Sequence, residues 1–215
     1  MNWIEEIKIQ RQTKFSPLII VETDDQQRIW QLIKQRPSML SSRNGLKEKW
    51  FVLDSWDGLY EIQQTGDIQE IESCREWGEI TPQILSKASE LFQTYPAVLV
   101  LKNILKFNDV INTALFNWAT SREIWKNEPT IILFVDSISE LPRQVWSNAK
   151  IIRVPRSTFE ERKQILQREI YNFTVKNKEE TINAAASLLA GLNLDQIDAA
   201  LAEMYIRNVG KFNLT

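Results

Sequence analysis

Five short apolar runs recur along the chain, each separated from the next by polar sequence. They cover residues 18–21, 50–53, 97–101, 131–135 and 151–154. The first, third and fourth are continuously apolar and rich in β-branched residues, which is typical of strands that are covered on both faces of a parallel sheet. The runs therefore predict a five-stranded, mostly parallel sheet.

Helical periodicity fills the intervals between the runs. Apolar residues recur at i, i+3 and i+4 in three segments, 29–33, 84–92 and 111–125, the last ending with Trp118 and Trp125 on one face. Strands that alternate with helices imply right-handed crossovers and a three-layer α/β domain. Residues 63–81 are less regular and are interpreted as a loop-rich insertion.

The pattern changes after Pro155, where no further strand run occurs. Thr158 and Glu161 form a capping box that opens a helix to about residue 171. A second helix is predicted over 179–190, ended by Gly191, and a third over 194–207. The chain thus divides into an α/β domain, residues 1–155, and a small all-α lid, residues 156–215.

Composition and charge indicate the compartment of the protein and the classes of partner that it binds. The 215 residues carry a formal net charge of −2, no apolar run reaches the ~18 residues of a membrane span, and the N-terminus lacks the features of a signal peptide. We therefore expect a protein of the cytoplasm or an equivalent reducing compartment, and the one cysteine, Cys74, agrees because it cannot form an internal disulfide. Nothing in the global charge favours nucleic acid or a membrane surface.

Missing residue types exclude several chemistries. The sequence has no histidine, which removes histidine-based acid–base catalysis, Ser-His-Asp triads and His-containing zinc sites. One cysteine cannot build a Cys-rich metal site. No two of the six glycines lie within three residues of each other, whereas phosphate-binding loops cluster them.

Several segments resemble the AAA+ ATPases. "VPRSTFEERKQILQREI" (154–170) is similar to their link from the last strand to the lid, and "LLAGLNLDQIDAALAEMYIRN" (188–208) to a lid segment. "AVLVLKN" (97–103) lies where the Walker B strand is expected, and "TIILFVDSISELPRQV" (130–145) where the sensor-1 strand is expected. A narrower resemblance rests on four segments in order: "SPLIIVETDDQQRIWQLI" (16–33), "WFVLDSWDGL" (50–59), "AVLVLKNILKFNDV" (97–110) and "TIILFVDSISELP" (130–142). They resemble the opening segments of the first, degenerate module of a cyanobacterial and plastid AAA+ family whose working module lies downstream.

The Walker A residues are missing at the expected place. A glycine-rich loop with Lys and Ser/Thr should follow the first run, but the chain reads "ETDDQQR", residues 22–28. Thr23 and Gln26 have capping-box spacing, which puts Asp24 and Asp25 in the first helical turn, where they repel a phosphate. Gly210-Lys211 lacks the preceding strand and is rejected as a phosphate loop.

The other catalytic positions are equally altered. Where Walker B carboxylates are required, the chain has Lys102 and Asn103. Asp136 and Ser137 have the position of sensor residues, but a polar strand end that caps a turn is the favoured interpretation. Arg162 could be interpreted as an arginine finger. The favoured interpretation is a salt bridge to the adjacent glutamates or packing of its stem near the lid hinge.

Four further features have ordinary structural interpretations. Three acid pairs lie at predicted helix starts, where the helix dipole favours them, rather than forming a glycosidase site: Asp24/Asp25, Glu160/Glu161 and Glu179/Glu180. Packing in the core or at a partner interface is favoured over base stacking for the tryptophans, among them Trp50, Trp56, Trp118 and Trp125. The basic stretch is interpreted as a solvated loop; it comprises Lys34, Arg36, Arg43, Lys47 and Lys49. Cys74 is interpreted as a plain thiol, although neighbouring Arg75 is a candidate for lowering its pKa.

The resemblance and the residues together predict a non-catalytic AAA+-like module with no catalytic, cofactor-binding or metal-binding residues. Its expected role is protein–protein contact or oligomeric assembly, with AAA+ modules in the same polypeptide or with further copies of itself. It is expected to be the N-terminal part of a longer AAA+ ATPase. The alternatives are a clamp-loader delta-like subunit of DNA replication and an enzyme with an unrecognised carboxylate site.

Overall fold

The computed structural model describes residues 3–13, 16–26, 29–30, 48–63, 67–74, 79–169 and 177–207. The chain forms two compact units, Met1–Val154 and Pro155–Thr215. Within the described ranges, no helix has the length and apolarity needed to cross a membrane.

The first unit contains a sheet of seven strands. These are β1 (Leu18–Glu22), β2 (Lys49–Asp54), β3 (Gly58–Ile62), β4 (Ile68–Glu72), β5 (Ala97–Lys102), β6 (Thr130–Val135) and β7 (Lys150–Arg153). Their order across the sheet is β4-β3-β2-β5-β6-β1-β7. The pairs β2–β5, β5–β6, β6–β1 and β1–β7 are parallel, and β2–β3 and β3–β4 are antiparallel.

All five predicted runs are therefore strands of the parallel part of the sheet, but the prediction of five strands was two short. β3 and β4 form a hairpin beside β2, and β4 occupies part of the region interpreted as loop. The β4 residues 68–70 are exposed, because this strand ends the sheet order. A strand that is not covered on both faces needs no continuous apolar run, so the sequence lacked the signal.

Helices cover the sheet on both faces. They are α1 (Trp3–Thr13), α2 (Pro82–Thr94), α3 (Asp109–Thr120) and the short α4 (Arg143–Trp146), with 3-10 turns at Ile124–Asn127 and Ile138–Glu140. Strand residues alternate between two cores. Leu18 and Ile20 of β1 pack with α2 and α3 residues, whereas Ile19 and Val21 pack with Ile7 of α1 and with Ile29. This is the predicted three-layer arrangement.

The third predicted helical segment, 111–125, extends too far. α3 ends at Thr120, where Ser121 donates its backbone N–H to the Asn117 carbonyl, and Trp125 lies in the following 3-10 turn. Trp118 is fully buried and makes an edge-to-face contact with Phe92, their ring centroids 5.4 Å apart. Its indole nitrogen donates to Ser89 Oγ at 2.8 Å, so this tryptophan is a core residue.

The second unit is helical in its described part: α5 (Phe159–Glu169), α6 (Lys178–Leu188) and α7 (Leu194–Arg207). The capping box at α5 is confirmed, since Thr158 N donates to Glu161 Oε2 at 2.7 Å and Glu161 N to Thr158 Oγ1 at 3.3 Å. α6 ends two residues earlier than predicted. The core of this unit consists of Leu166, Ile182, Ala185, Ala186, Ile197 and Leu201.

Candidate functional site

The carboxyl ends of the parallel strands form the candidate site. In open α/β sheets, ligands bind outside these ends where the strand order reverses, and β1 lies at such a point, between β6 and β7. Charged residues end four of the five parallel strands: Glu22 on β1, Asp54 on β2, Lys102 on β5 and Arg153 on β7.

Asp54 is the most deeply buried charge at this edge. Its carboxylate accepts hydrogen bonds from the Lys102 ammonium through Oδ2, from Asn103 Nδ2 at 2.8 Å, and from the backbone N–H of Trp56 at 2.8 Å. The side chains of Asp54 and Lys102 are 1% and 10% exposed. Burial of charged side chains is tolerated when charges of opposite sign are paired and hydrogen-bonded to each other.

The loop after β5 is held by the same residues. Asn103 has a positive φ of 52°, a conformation that asparagine tolerates better than most residues. Two residues further on, the Leu105 N–H donates to Ser55 Oγ at 3.3 Å, which links this loop to the turn between β2 and β3. Lys102 and Asn103, which the sequence resemblance assigns to the Walker B position, therefore contact side chains of the neighbouring strand and its turn.

Gln26 connects two strand ends. Its Oε1 accepts from the Asn103 backbone N–H at 3.0 Å, and its Nε2 donates to Asp136 Oδ1 at 3.0 Å. The predicted capping box of Thr23 and Gln26 is therefore wrong. Thr23 N instead continues the sheet bonding to the Val135 carbonyl at 2.9 Å, and Thr23 Oγ1 accepts from Asp25 N at 3.1 Å.

The helix after β1 consequently begins later than predicted. Gln26 is its first helical residue, and Ile29 N donates to the Asp25 carbonyl at 3.2 Å. Asp24 and Asp25 precede the first turn instead of lying in it, and Asp25 is buried. The acid pairs Glu160/Glu161 and Glu179/Glu180 do lie in the first turns of α5 and α6, as predicted.

Glu22 ties the end of β1 to both neighbouring strands. Oε1 accepts from the Ile138 N–H at 3.0 Å, after β6, and Oε2 accepts from Arg153 Nε at 2.7 Å, on β7. The Ile138 hydrogen bond, followed by the Arg153 hydrogen bond, lowers the pKa of Glu22 below its usual value. The carboxylate is thus held ionised at the point where a phosphate loop would begin.

The two sensor candidates have different surroundings. Ser137 caps the 3-10 turn Ile138–Glu140, since its Oγ accepts from Ser139 N at 3.3 Å and its own N–H donates to Glu140 Oε1 at 2.9 Å. Asp136 accepts from Gln26 as described above. The turn-capping interpretation therefore applies to Ser137, while Asp136 belongs to the contacts between strand ends.

Arg162 lies inside the second unit and is 7% exposed. Its Nε donates to the Ala186 carbonyl at 2.7 Å and its Nη1 to the Ser157 carbonyl. The guanidinium therefore holds the start of α5 to the last turn of α6 by bonding to backbone carbonyls. Both of these hydrogen bonds go to backbone carbonyls and neither goes to the adjacent glutamates, whereas the predicted packing of the side chain agrees with its burial.

The remaining candidates have separate places. Cys74 Sγ donates to the Asp54 carbonyl at 3.7 Å. Burial, followed by the Asp54 charge, raises the pKa of the Cys74 thiol. This direction is opposite to the lowering for which Arg75 was a candidate, and Arg75 itself lies outside the described residues. Lys49 pairs with Glu61 at 3.1 Å and lies 4.5 Å from the Tyr95 ring centroid. The rest of the basic stretch, and Gly210-Lys211, also fall outside the described residues. Trp50 is half-buried and Trp56 is 52% exposed.

Sequence reasoning missed Asp54 and the bridging role of Gln26. A signal for Asp54 existed: a lysine that ends a continuously apolar strand needs a buried partner, and Asp54 ends another predicted strand. Gln26 gave no such signal. Among the described residues, no group of three or more Cys, Asp or Glu is arranged to hold a metal ion.

Comparison with known proteins bears on the fold. No protein-family model matches the sequence, and no curated protein matches it. The chain is similar in structure to RuvB, the Holliday junction branch migration motor of Thermotoga maritima, with a TM-score of 0.59 and 9% identity over 99% of this chain and 65% of that one. The fold is AAA+-like.

Two further structures support the AAA+-like fold. Rhizobiales Trip13 matches with a TM-score of 0.55 and 13% identity, over 94% of this chain and 69% of that one. A chain of the E. coli MS115-1 HORMA:CdnC:Trip13 complex matches with a TM-score of 0.52 and 9% identity, over 89% and 68%. At such identities the AAA+-like likeness concerns the fold, and this chain spans about two thirds of each relative.

Proposed function

We propose that this chain is a non-catalytic AAA+-like module that neither binds nor hydrolyses ATP and that acts in protein–protein contact or oligomeric assembly. The observation that carries the proposal is the pairing of Lys102 with Asp54. An ammonium stands where a carboxylate would have to hold Mg²⁺ and polarise water. It is neutralised from within the sheet.

The start of the neighbouring helix supports the same conclusion. A phosphate at this place requires free N–H groups at the helix N-terminus and glycines that let the backbone approach. No glycine stands among residues 22–25, which precede the helix. Three of these residues are the acids Glu22, Asp24 and Asp25, and the pKa of Glu22 is lowered. An anion brought to the start of this helix would lie close to these carboxylates, of which Glu22 is already paired with Arg153.

Exposed apolar side chains at the same edge support a role in protein contact. Trp56 is 52% exposed and Leu105 is 59% exposed. Their loops are joined by the Leu105 N–H to Ser55 Oγ hydrogen bond, so both side chains are presented by one connected pair of loops. Tryptophan in a preorganised position is a frequent centre of binding energy in protein interfaces.

The proposed partners are AAA+ modules, either in the same polypeptide or in further copies of this chain, because head-to-tail assembly can retain an interface after a site is lost. In line with the resemblance to the cyanobacterial and plastid family, we propose that the chain is the N-terminal part of a longer ATPase. The full-length protein would then hydrolyse ATP through its downstream module.

Calorimetry with the 215-residue chain tests the absence of a nucleotide site. Titration with ATP and Mg²⁺ is expected to give no binding heat, and a micromolar dissociation constant would overturn the proposal. Sedimentation of the chain from ~1 to ~100 μM tests self-association. If self-association occurs, Trp56→Ser and Leu105→Ser should weaken it, whereas Ile9→Ser, at an exposed position of α1, should leave it unchanged.

A further inference from the structure

The hydrogen bonds at the carboxyl edge form one continuous chain across three strands and the helix after β1. Asp54 at the end of β2 bonds to Lys102 and Asn103 at the end of β5. Asn103 bonds to Gln26, and Gln26 bonds to Asp136 after β6. We call these five residues the strand-end network.

Chemistry fixes the orientation of the Gln26 carboxamide. The Asn103 N–H is a donor, so it must meet the carboxamide oxygen, and the Asp136 carboxylate is an acceptor, so it must meet the carboxamide nitrogen. A flipped carboxamide would lose both hydrogen bonds. Gln26 is thus a two-sided connector with one allowed orientation, placed between the ends of two adjacent parallel strands.

Asn103 makes the network continuous. Its backbone N–H faces Gln26, while its side-chain amide donates to Asp54 at 2.8 Å. The positive φ of 52° is the conformation in which it does both. The hydrogen bonds therefore connect Gln26 through Asn103 to Asp54, which also accepts from the Trp56 N–H.

We propose that the strand-end network is a conformational lock, with Gln26 as its internal ligand. It holds the loops after β2, β5 and β6 in one arrangement without any bound molecule. In open α/β sheets, a ligand at the strand ends contacts loops from several strands and stabilises the form that binds it. Here side chains of the protein make such contacts, so the loops that carry Trp56 and Leu105 are ordered permanently.

Amide hydrogen exchange followed by NMR tests the lock, because the Asn103 amide bonds directly to Gln26. Gln26→Ala should raise Asn103 exchange about 2- to 10-fold, the effect of one hydrogen bond. The lock further requires faster exchange at Trp56 and Leu105, which Gln26 does not bond directly. The Val100 amide, within the central strand β5, should change less.

Four further variants control the experiment. Asp136→Asn keeps an acceptor for Gln26 and should leave Asn103 protection intact, whereas Asp136→Ala should weaken it. Gln83→Ala, at an exposed position of α2, should change none of these amides. Gln26→Glu retains an acceptor for the Asn103 N–H but places a carboxylate against the Asp136 carboxylate. The protection of the Asn103 amide should therefore recover as the pH falls and the introduced carboxyl group becomes a donor to Asp136.

Two results would overturn the lock. One is unchanged Asn103 exchange in Gln26→Ala; the other is a change confined to Asn103, which would make Gln26 a local contact. If Gln26→Ala does not fold, Asp136→Ala and Gln26→Glu give the same reading. ATP binding by the unaltered chain would contradict the proposed function without touching these outcomes.

Discussion

Lys102 lies directly opposite Asp54 in the parallel pairing of β5 with β2, and its ammonium contacts the Asp54 carboxylate. The two residues are 48 positions apart in the sequence. The pairing explains how a strand of otherwise apolar residues ends in a buried lysine. The Asp54 carboxylate therefore already has a cationic partner within the protein.

Removal of the lysine charge should strongly destabilise the first unit. Lys102→Met leaves Asp54 buried without its counter-ion, and breaking a buried pair from one side costs about 3 kcal/mol. The measurement is the free energy of unfolding in urea. Asp54→Asn combined with Lys102→Met should lose less than Lys102→Met alone, because no unpaired charge remains. Lys87→Met, which breaks the exposed pair with Glu90, should leave the unfolding midpoint unchanged.

Glu22 should make stability depend on pH. Its pKa is lowered in the folded state, so its contribution is present above the unfolded value of about 4.3 and is lost as the pH falls through the lower folded value. Glu22→Gln should cost about 1 kcal/mol at pH 7, a modest amount because its partner Arg153 is exposed. The difference from the unaltered chain should disappear in acid. Glu70→Gln, at an exposed position of β4, should cost little at any pH.

Gly58 should tolerate no side chain. Its φ is +83°, and an added Cβ would lie 2.3 Å from the Glu72 carbonyl oxygen and 2.8 Å from the Cys74 nitrogen. Gly58→Ala is expected to cost about 3 kcal/mol or more, through strain and displacement of β4. Gly191→Ala is the matched control. Its φ is +91°, but the nearest atom would be 3.8 Å away, so strain alone should cost about 1 kcal/mol. Thermal unfolding of the two variants distinguishes them.

Arg162 should stabilise the second unit through its forked geometry. Arg162→Met leaves the carbonyls of Ser157 and Ala186 without this donor and should cost about 3 kcal/mol. Arg162→Lys should be intermediate, since one ammonium cannot reproduce both directions of the guanidinium. Hydrogen exchange of the α5 and α6 amides reports the loss. Equal stability of the Met and Lys variants would contradict the role of the fork, and Lys163→Met serves as the neighbouring control.

Local patterns in the sequence determined much of the fold. The parallel strands were predictable because strands buried on both faces carry continuous apolar runs, as residues 18–21 of β1, 97–101 of β5 and 131–135 of β6 do. The α5 capping box was predictable because its partners are three residues apart, so the sequence contains the whole interaction. The hairpin of β3 and β4 escaped prediction, since an edge of the sheet leaves polar residues in a strand.

The candidate site was decided by tertiary structure. Sequence alone established that the residues of a phosphate loop and its carboxylates are missing from their expected places. What occupies those places depends on pairs brought together by the sheet: Gln26 with Asn103 and Asp136, 77 and 110 residues away, and Glu22 with Arg153, 131 residues away. Local spacing assigned Gln26 to Thr23. In the structure, the Thr23 N–H bonds to the Val135 carbonyl of the sheet and the helix begins at Gln26. The Gln26 side chain bonds to the strand ends instead of to Thr23.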